Sequence, residues 1–185
     1  MQGKVLFIGR FSRMGAVNNK AASAAGDIVQ RQIIADSIRI LGSANFEFLC
    51  MEPKRYWPRG EFYVKGGQEE NGGYISYVNL PVIRNIIFMF FIVVYCFLKK
   101  NKLIFQYNSY FFENIGILVV SFLRQCNNFI IIQDFRSGSG FSKSAQLFDK
   151  VSNSLVKYFD FALPITSRLA QDLKIDEARS EVFIG

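Results

Sequence analysis

Short apolar runs alternate with segments of helical periodicity along almost the whole chain, and this alternation constrains the fold most strongly. The first run, Lys4 to Gly9, precedes a loop and then apolar residues at helical spacing from Ile28 to Leu41. A second run, Phe46 to Met51, follows directly, as a strand–helix–strand unit requires. Because the alternation continues, the sequence predicts an α/β fold: a single-domain, Rossmann-like open parallel sheet with helices on both faces. The other predicted strands are 74–80, 103–108, 128–134, 161–166 and 181–184, and the other predicted helices are 86–98, 110–124, 143–158 and a short one that ends at 173.

Capping residues predict where two of these helices begin. Asp27 can accept the free N–H groups of the first turn of helix 28–41, and Gly42 can end that helix. Ser109 can cap helix 110–124 in the same way.

Histidine is absent from the 185 residues, and this absence excludes histidine-based triads, histidine bases and most zinc sites. We expect no metal and no cofactor in this chain. The three cysteines, Cys50, Cys96 and Cys126, lie in apolar segments without CxxC spacing. This pattern predicts buried, reduced thiols in a cytosolic protein.

The chain carries a net charge of +7, from 22 basic and 15 acidic residues, which suits an anionic partner such as a phosphate, a nucleotide or an acidic membrane surface. The basic residues are scattered, so we expect no nucleic acid as a partner.

The most hydrophobic segment, Ile86 to Leu98, precedes Lys99, Lys100 and Lys102. As a helix it would rise about 20 Å, whereas a membrane span needs roughly 20 residues. Two interpretations remain open: a helix buried against the sheet, and a helix seated on a membrane by its aromatic residues and the lysines.

Polar residues that directly follow predicted strands are the candidate ligand-binding residues, because ligands of open parallel sheets bind outside the carboxyl ends of the strands. The run from Asn128 turns abruptly into Asp134, Arg136 and a loop rich in glycine and serine. A structural ion pair or a turn cap is the alternative role for these two residues. Because they lie at or just after the carboxyl ends of predicted strands, we expect four residues to bind substrate: Arg10, Tyr107, Asn108 and Arg136.

Two loops could bind phosphate. Backbone N–H groups near Gly26 and Asp27 could receive phosphate or sugar hydroxyls, although a turn glycine and a helix cap explain these residues equally well. No dinucleotide-binding GxGxxG pattern is present. Lys143 and Ser144 end a loop that approaches the phosphate-loop pattern, but Ser137 and Ser142 stand where that pattern has glycines. A nucleotide hydrolase is therefore a less favoured alternative.

The segment from Glu52 to Gly73 is the least regular part of the chain and contains several aromatic residues. Such a long loop predicts either substrate contact or a surface excursion with its own aromatic cluster.

A resemblance to a known family rests on six runs: 4–8 as an opening strand, Ala25-Gly26-Asp27 at the entry to the first helix, 104–108, 130–134, 162–167, and 180–185 as a hinge strand. These runs resemble the amino-terminal half of a GT-B glycosyltransferase, in particular the large retaining glycosyltransferase family 4. The His-Asp pair of that family appears here as Gln133-Asp134, so the resemblance carries over only Asp134, as a tentative catalytic residue.

The resemblance implies that residues 1–185 are the acceptor-binding half of a glycosyltransferase. Such an enzyme moves a sugar from a nucleotide-sugar donor to a glycan or lipid-linked acceptor in surface polysaccharide synthesis. The donor would bind a carboxyl-terminal domain that is absent here, so we expect the isolated chain to be inactive. We expect a cytoplasmic location with peripheral contact at the inner membrane face. The alternative is a non-enzymatic α/β binding module that meets a partner or a membrane through helix 86–98.

Overall fold

The computed structural model describes residues 4–13, 23–99, 101–133 and 143–175. Its strands are β1 (Val5–Gly9), β2 (Phe46–Cys50), β3 (Tyr63–Val64), β4 (Gly67–Glu69), β5 (Gly72–Tyr74), β6 (Tyr77–Val78), β7 (Leu103–Tyr107), β8 (Asn127–Ile132) and β9 (Phe161–Pro164). The main sheet has the order β4-β5-β2-β1-β7-β8-β9. All neighbours in it are parallel except β4, which runs antiparallel to β5 at one edge. β3 and β6 form a separate antiparallel pair.

The helices lie on both faces of this sheet, so the predicted Rossmann-like α/β fold is confirmed. They are α1 (Ala24–Leu41), α2 (Ile83–Lys99), α3 (Phe111–Arg124), α4 (Lys143–Leu155) and α5 (Ser167–Leu173), with short 3-10 turns at 43–45 and 156–158.

The core has two layers because side chains of each strand alternate between the faces of the sheet. On one face, α1 contributes Ile34, which packs with Phe7 of β1. On the other face, α2 contributes Phe88 and α3 contributes Ile117, and both pack with Leu6 of β1. All three cysteines are buried and free, as the sequence predicts.

The chain reverses its direction of travel across the sheet at β1. β2 lies on one side of β1, and the later strands β7, β8 and β9 are added in order on the other side. β1 pairs with both β2 and β7, in registers that place Val5 opposite Phe46 and Leu103. In open α/β sheets such a switch point leaves a crevice at the carboxyl ends of the strands. We call the carboxyl ends of β1, β2, β7 and β8, with the residues just after them and the first turns of α2 and α3 that contact Arg10, the rim.

The predicted strand 74–80 is wrong. Its first residue, Tyr74, ends β5, and after a break at Ile75 and Ser76 the chain forms β6 against β3. Strands of two or three residues carry too little periodic signal to be separated by sequence pattern.

Gly42 ends α1 as predicted, but the two predicted amino-terminal caps, Asp27 and Ser109, are wrong. Ser23 caps α1, with its side chain accepting a hydrogen bond from Gly26 N, and Asp27 lies in the first turn. Tyr110 precedes α3 without a side-chain cap, and the Ser109 hydroxyl instead hydrogen bonds with that of Ser152 at 2.8 Å. In both cases a tertiary or neighbouring partner competes with the local cap.

None of the helices in the described ranges is both long and apolar enough to cross a membrane. The predicted strand 181–184 lies outside the described residues.

Candidate functional site

The backbone just after β1 is held in place by one buried side chain. Gln30 of α1 is 3% exposed, and its amide acts as a strand partner for Arg10. Arg10 N donates to Gln30 Oε1, and Gln30 Nε2 donates to Arg10 O, both at 2.9 Å. A Cβ on Gly9 would lie 2.4 Å from Gln30 Oε1, so only glycine fits there. This anchoring fixes the direction in which the Arg10 side chain leaves the strand.

The Arg10 side chain reaches the first turns of two helices. Its Nε donates to Glu113 Oε1 of α3 at 2.6 Å, and its Nη2 donates to Asn85 Oδ1 of α2 at 3.0 Å. The guanidinium carbon also lies 4.2 Å from the centre of the Tyr110 ring. The Arg10 and Glu113 side chains are 13% and 2% exposed, so this is a buried ion pair. Burial alone would lower the pKa of Arg10, but the Glu113 carboxylate outweighs it and the pKa is raised.

Two charged groups at the rim keep an unused polar atom. Glu113 Oε2 is buried and has no hydrogen-bond donor among the described residues, and Arg84 Nε has no acceptor there. Buried polar atoms are almost always hydrogen-bonded in native proteins. A hydroxyl group can satisfy either kind of atom, because a hydroxyl donates and accepts.

Arg84 is held at the start of α2 by contacts that leave its Nε unused. Its Nη1 donates to Lys54 O at 2.7 Å and to Asn79 Oδ1 at 3.1 Å. Its guanidinium carbon lies 3.8 Å from the centre of the Tyr56 ring. Burial is the main cause that lowers the pKa of Arg84, and the positive charge of Arg10 lowers it further. The rim therefore holds two guanidinium groups that influence each other, an arrangement that favours binding of an anion.

A second carboxylate lies at the end of β2. Glu52 is 4% exposed, and its two oxygens pair with Arg13 Nε and Lys54 Nζ, each at 3.1 Å. Together with Arg10 and Arg84, these groups make four cations against the carboxylates of Glu52 and Glu113, a net charge of +2. An excess of positive charge attracts anionic ligands.

Tyr107 and Asn108 join the ends of β7 and β8. Tyr107 Oη donates to the Gln133 side chain. Asn108 has the left-handed φ of 63°, its N donates to Ile131 O at 2.7 Å, and its Oδ1 accepts from Gln133 N at 2.8 Å. Asparagine tolerates this backbone conformation better than most residues. Both residues thus shape the rim, and their predicted contact with substrate stays a prediction.

Gly26 and Asp27 lie in the first turn of α1, where two N–H groups are already used. Gly26 N donates to Ser23 Oγ at 3.3 Å, and Asp27 N donates to Ser23 O at 2.9 Å. The Asp27 carboxylate accepts from Ser12 N at 3.1 Å, so it closes the loop after β1 onto the helix. Gly26 O accepts from Gln30 Nε2 at 3.2 Å, which links this turn to the anchor of Arg10.

Asp134 and Arg136 lie outside the described residues, and so do the side chains of Lys143 and Ser144. Their predicted roles stay predictions.

Glu113, Arg84 and Asn85 are the rim residues that the sequence pattern did not single out. A usable signal did exist: Arg84 and Asn85 follow Pro81 at the start of a helix, and Glu113 follows a strand by six residues. Both positions bring the first turn of a helix to the carboxyl edge of the sheet. Within the described ranges, no group of three His, Cys, Asp or Glu residues could hold a metal ion.

The same fold is found in a solved UDP-GlcNAc 2-epimerase and in two proteins solved with UDP. The UDP-GlcNAc 2-epimerase of Methanocaldococcus jannaschii matches with 10% identity and a TM-score of 0.57, over 96% of this chain and 45% of that one. Anabaena Alr3699/HepE, solved with UDP and glucose, matches with 10% identity and a TM-score of 0.57, over 99% of this chain and 44% of that one. S. aureus MnaA, solved with UDP, matches with 10% identity and a TM-score of 0.56, over 97% of this chain and 44% of that one.

This chain therefore spans less than half the length of these solved structures. No family model matches the sequence, and no curated protein matches it either. The Rossmann-like fold that the resemblance implies is confirmed, whereas none of these comparisons points to glycosyltransferase family 4.

Proposed function

We propose that this chain is the acceptor-side half of a glycosyltransferase that uses a nucleotide-sugar donor, and that its rim binds the acceptor. One observation carries this proposal: the buried Arg10–Glu113 pair lies at the switch point of the sheet and leaves Glu113 Oε2 without a donor. The fold shared with UDP-sugar enzymes supports a role in nucleotide-sugar chemistry.

The two oxygens of Glu113 have different tasks in this proposal. Oε1 is held by Arg10, which fixes the orientation of the carboxylate. Oε2 accepts a hydrogen bond from the acceptor hydroxyl. In the transfer step this hydroxyl oxygen bonds to the anomeric carbon of the donor sugar as the bond to the nucleoside diphosphate breaks. The hydroxyl proton leaves toward Oε2, as in general-base catalysis.

The charge of the rim selects an anionic acceptor. Arg10, Arg13, Lys54 and Arg84 outnumber the carboxylates of Glu52 and Glu113 by two. A neutral glycan gains nothing from this excess, whereas the diphosphate of a lipid-linked sugar pairs with guanidinium groups. We therefore favour a sugar on a polyprenyl diphosphate over a free glycan.

The donor belongs to a second lobe in this proposal, supplied by further sequence or by another chain. Acceptor and donor would meet in the cleft between the two lobes. The isolated chain then binds acceptor and transfers no sugar.

Isothermal titration calorimetry on the 185-residue chain tests this proposal. The probes are N-acetylglucosamine on a short-chain, water-soluble polyprenyl diphosphate, the same sugar without diphosphate, UDP-GlcNAc and UDP. We expect the diphosphate-linked sugar to bind most tightly. Glu113→Gln and Arg84→Gln should each weaken it at least tenfold. The matched control is Arg39→Gln, because that guanidinium pairs with Asp36 on the exposed side of α1.

Two results would overturn the proposal. If UDP-GlcNAc or UDP binds more tightly than the diphosphate-linked sugar, and the rim variants weaken that binding, the rim serves the donor. If the isolated 185-residue chain catalyses many rounds of sugar transfer, no second lobe is needed.

A further inference from the structure

The outer sides of α2 and α3 form one continuous exposed apolar surface. The two helices pack side by side and run in the same direction. A Cβ on Gly116 of α3 would lie 3.2 Å from Met89 Cγ of α2, and Arg124 Nη1 donates to Phe97 O at 2.8 Å. Eight apolar side chains of these two helices are between 42% and 84% exposed. Two of them are Ile83 and Phe91 of α2, and the other six define one face. We call these six the α2–α3 face: Phe90, Val94, Leu98, Val119, Phe122 and Leu123.

Positive charge lies at one end of the α2–α3 face. Lys99 ends α2, Arg124 ends α3, and Lys102 directly precedes β7. The described part of these two helices has no exposed acidic side chain, because α2 contains no acid and Glu113 of α3 is buried.

The acidic side chains at this end already form ion pairs or hydrogen bonds within the protein. Glu47 pairs with Lys4 Nζ at 2.6 Å and with Lys99 Nζ at 3.8 Å. Asp160 accepts from the backbone N of Asn128 at 2.8 Å. Counting Lys4, Lys99, Lys102 and Arg124 against Glu47 and Asp160 leaves this end with a net charge of +2.

We infer that the α2–α3 face docks on a bilayer that contains anionic lipid. Monomeric soluble proteins rarely expose so many neighbouring large apolar side chains, so a contact must cover them. An apolar centre with a basic border and no exposed acid matches the boundary between acyl chains and anionic headgroups. The lysine and arginine stems can follow the apolar surface while their charged ends reach the phosphates. Since none of the described helices is a candidate membrane span, the contact is parallel to the membrane.

This docking brings the membrane close to the rim. Phe90 lies five residues after Asn85 on α2, a rise of about 7.5 Å. A lipid-linked sugar could then reach the rim while its chain stays in the bilayer. This last step rests on the proposed function, whereas the docking does not.

Vesicle flotation of the full chain tests the inference. The vesicles contain phosphatidylcholine alone, or phosphatidylcholine with 30% phosphatidylglycerol. We expect at least a fivefold larger floated fraction with the anionic vesicles, and loss of most of it in 0.5 M salt because salt screens the basic border. The Leu98→Ser/Phe122→Ser variant should float at least fivefold less. Ile40→Ser is the matched control, because Ile40 is 74% exposed on α1, across the sheet.

A measurement on the unmodified chain guards against misfolding of the variant. Hydrogen exchange with anionic vesicles should slow in the second halves of α2 and α3 and stay unchanged in α1. The inference is overturned if the chain does not float, or if Leu98→Ser/Phe122→Ser floats as well as the control. It is equally overturned if the chain does not bind vesicles and instead forms a dimer that this variant abolishes. The face would then bind a second copy of the chain.

Discussion

Arg10 and Glu113 are 103 residues apart in the chain, yet Arg10 Nε lies 2.6 Å from Glu113 Oε1. The pair connects the loop after β1 to the first turn of α3, and Asn85 adds the first turn of α2 to the same guanidinium. Three separate segments of the chain therefore depend on one buried ion pair. Charge pairs of this kind cost desolvation, so they are weak contributors to net stability and strong determinants of local geometry.

The first prediction concerns the loss of one partner of this pair. Glu113→Ala should lower the free energy of unfolding by about 3 kcal/mol, because Arg10 is left charged and buried. Arg10→Ala should cost a similar amount. The double variant should cost less than the sum, with a coupling of about 2 kcal/mol. Urea denaturation followed by circular dichroism measures all three. The control is Arg39→Ala, which removes an exposed pair with Asp36 and should change stability by less than about 0.5 kcal/mol. If the costs of the two single variants simply add in the double variant, the Arg10–Glu113 pair is not formed.

The second prediction compares two glycines near the same loop. Gly9→Ala should cost about 2 kcal/mol, because the new Cβ meets Gln30 Oε1 at 2.4 Å and Phe7 Cε1 at 2.7 Å. Gly26→Ala is the control inside α1, since its Cβ would meet only Ser23 atoms at 3.5 Å or more. It should be neutral or stabilising by up to about 1 kcal/mol. Thermal unfolding ranks the two, and a harmless Gly9→Ala would contradict the close approach of Gln30.

The fold could be predicted from the sequence wherever a segment has enough length to show its period. The run 103–108 and the helix 110–124 are typical, and the structure has them at Leu103–Tyr107 and Phe111–Arg124. The segment between β2 and α2 could not be predicted, because its strands have two or three residues and its shape depends on tertiary partners. Asn79 is an example: its side-chain nitrogen donates to Arg55 O and Glu61 O, which lie 24 and 18 residues away.

The candidate site could be predicted only where a polar residue directly follows a strand. Arg10 is such a residue, and the structure places it at the centre of the rim. Glu113 was missed because one glutamate in an otherwise apolar helix normally faces solvent. Only the packing of α3 against the sheet turns its first turn toward Arg10. The wrong prediction of Asp27 as a helix cap has a similar cause. Its carboxylate accepts a hydrogen bond from Ser12 N, which is 15 residues away in the chain.

The third prediction is a pH dependence that comes from Glu47. Burial would raise the pKa of Glu47, but hydrogen bonds from Lys4 and Tyr95 outweigh it and lower the pKa below its usual value. A carboxyl with a lowered folded pKa stabilises the protein above its unfolded pKa of about 4.3. This contribution is lost as the pH falls through the folded pKa.

Glu47→Gln provides the measurement for this pH dependence. Wild type should be more stable than the variant by about 1 to 2 kcal/mol at pH 6 to 7, and the difference should shrink steadily as the pH falls below about 4.3. Asp36→Asn is the control, because its pair with Arg39 is exposed. A difference that does not change between pH 7 and pH 3 would contradict the assignment.

The fourth prediction concerns the thiol of Cys96 at alkaline pH. Burial raises the pKa of Cys96 to about 12, with a further contribution from the neighbouring Cys126. An unfolded cysteine has a pKa of about 8.5, so the thiol releases its proton on unfolding above that pH. The folded-state pKa is the higher one, and the stabilising contribution is therefore complete below about pH 8.5 and is lost as the pH rises toward 12.

Cys96→Ala isolates this effect from the other groups that titrate in the same range. The variant loses packing at every pH, because Cys96 is 1% exposed. The stability difference between wild type and variant should decrease by about 1 kcal/mol between pH 7.5 and pH 9.5, when both are unfolded in urea with a reductant present. Native protein at pH 8 should also react with a thiol reagent only as fast as it opens, since none of its described cysteines is exposed. Labelling in seconds, or a stability difference independent of pH, would show that Cys96 is accessible in the folded protein.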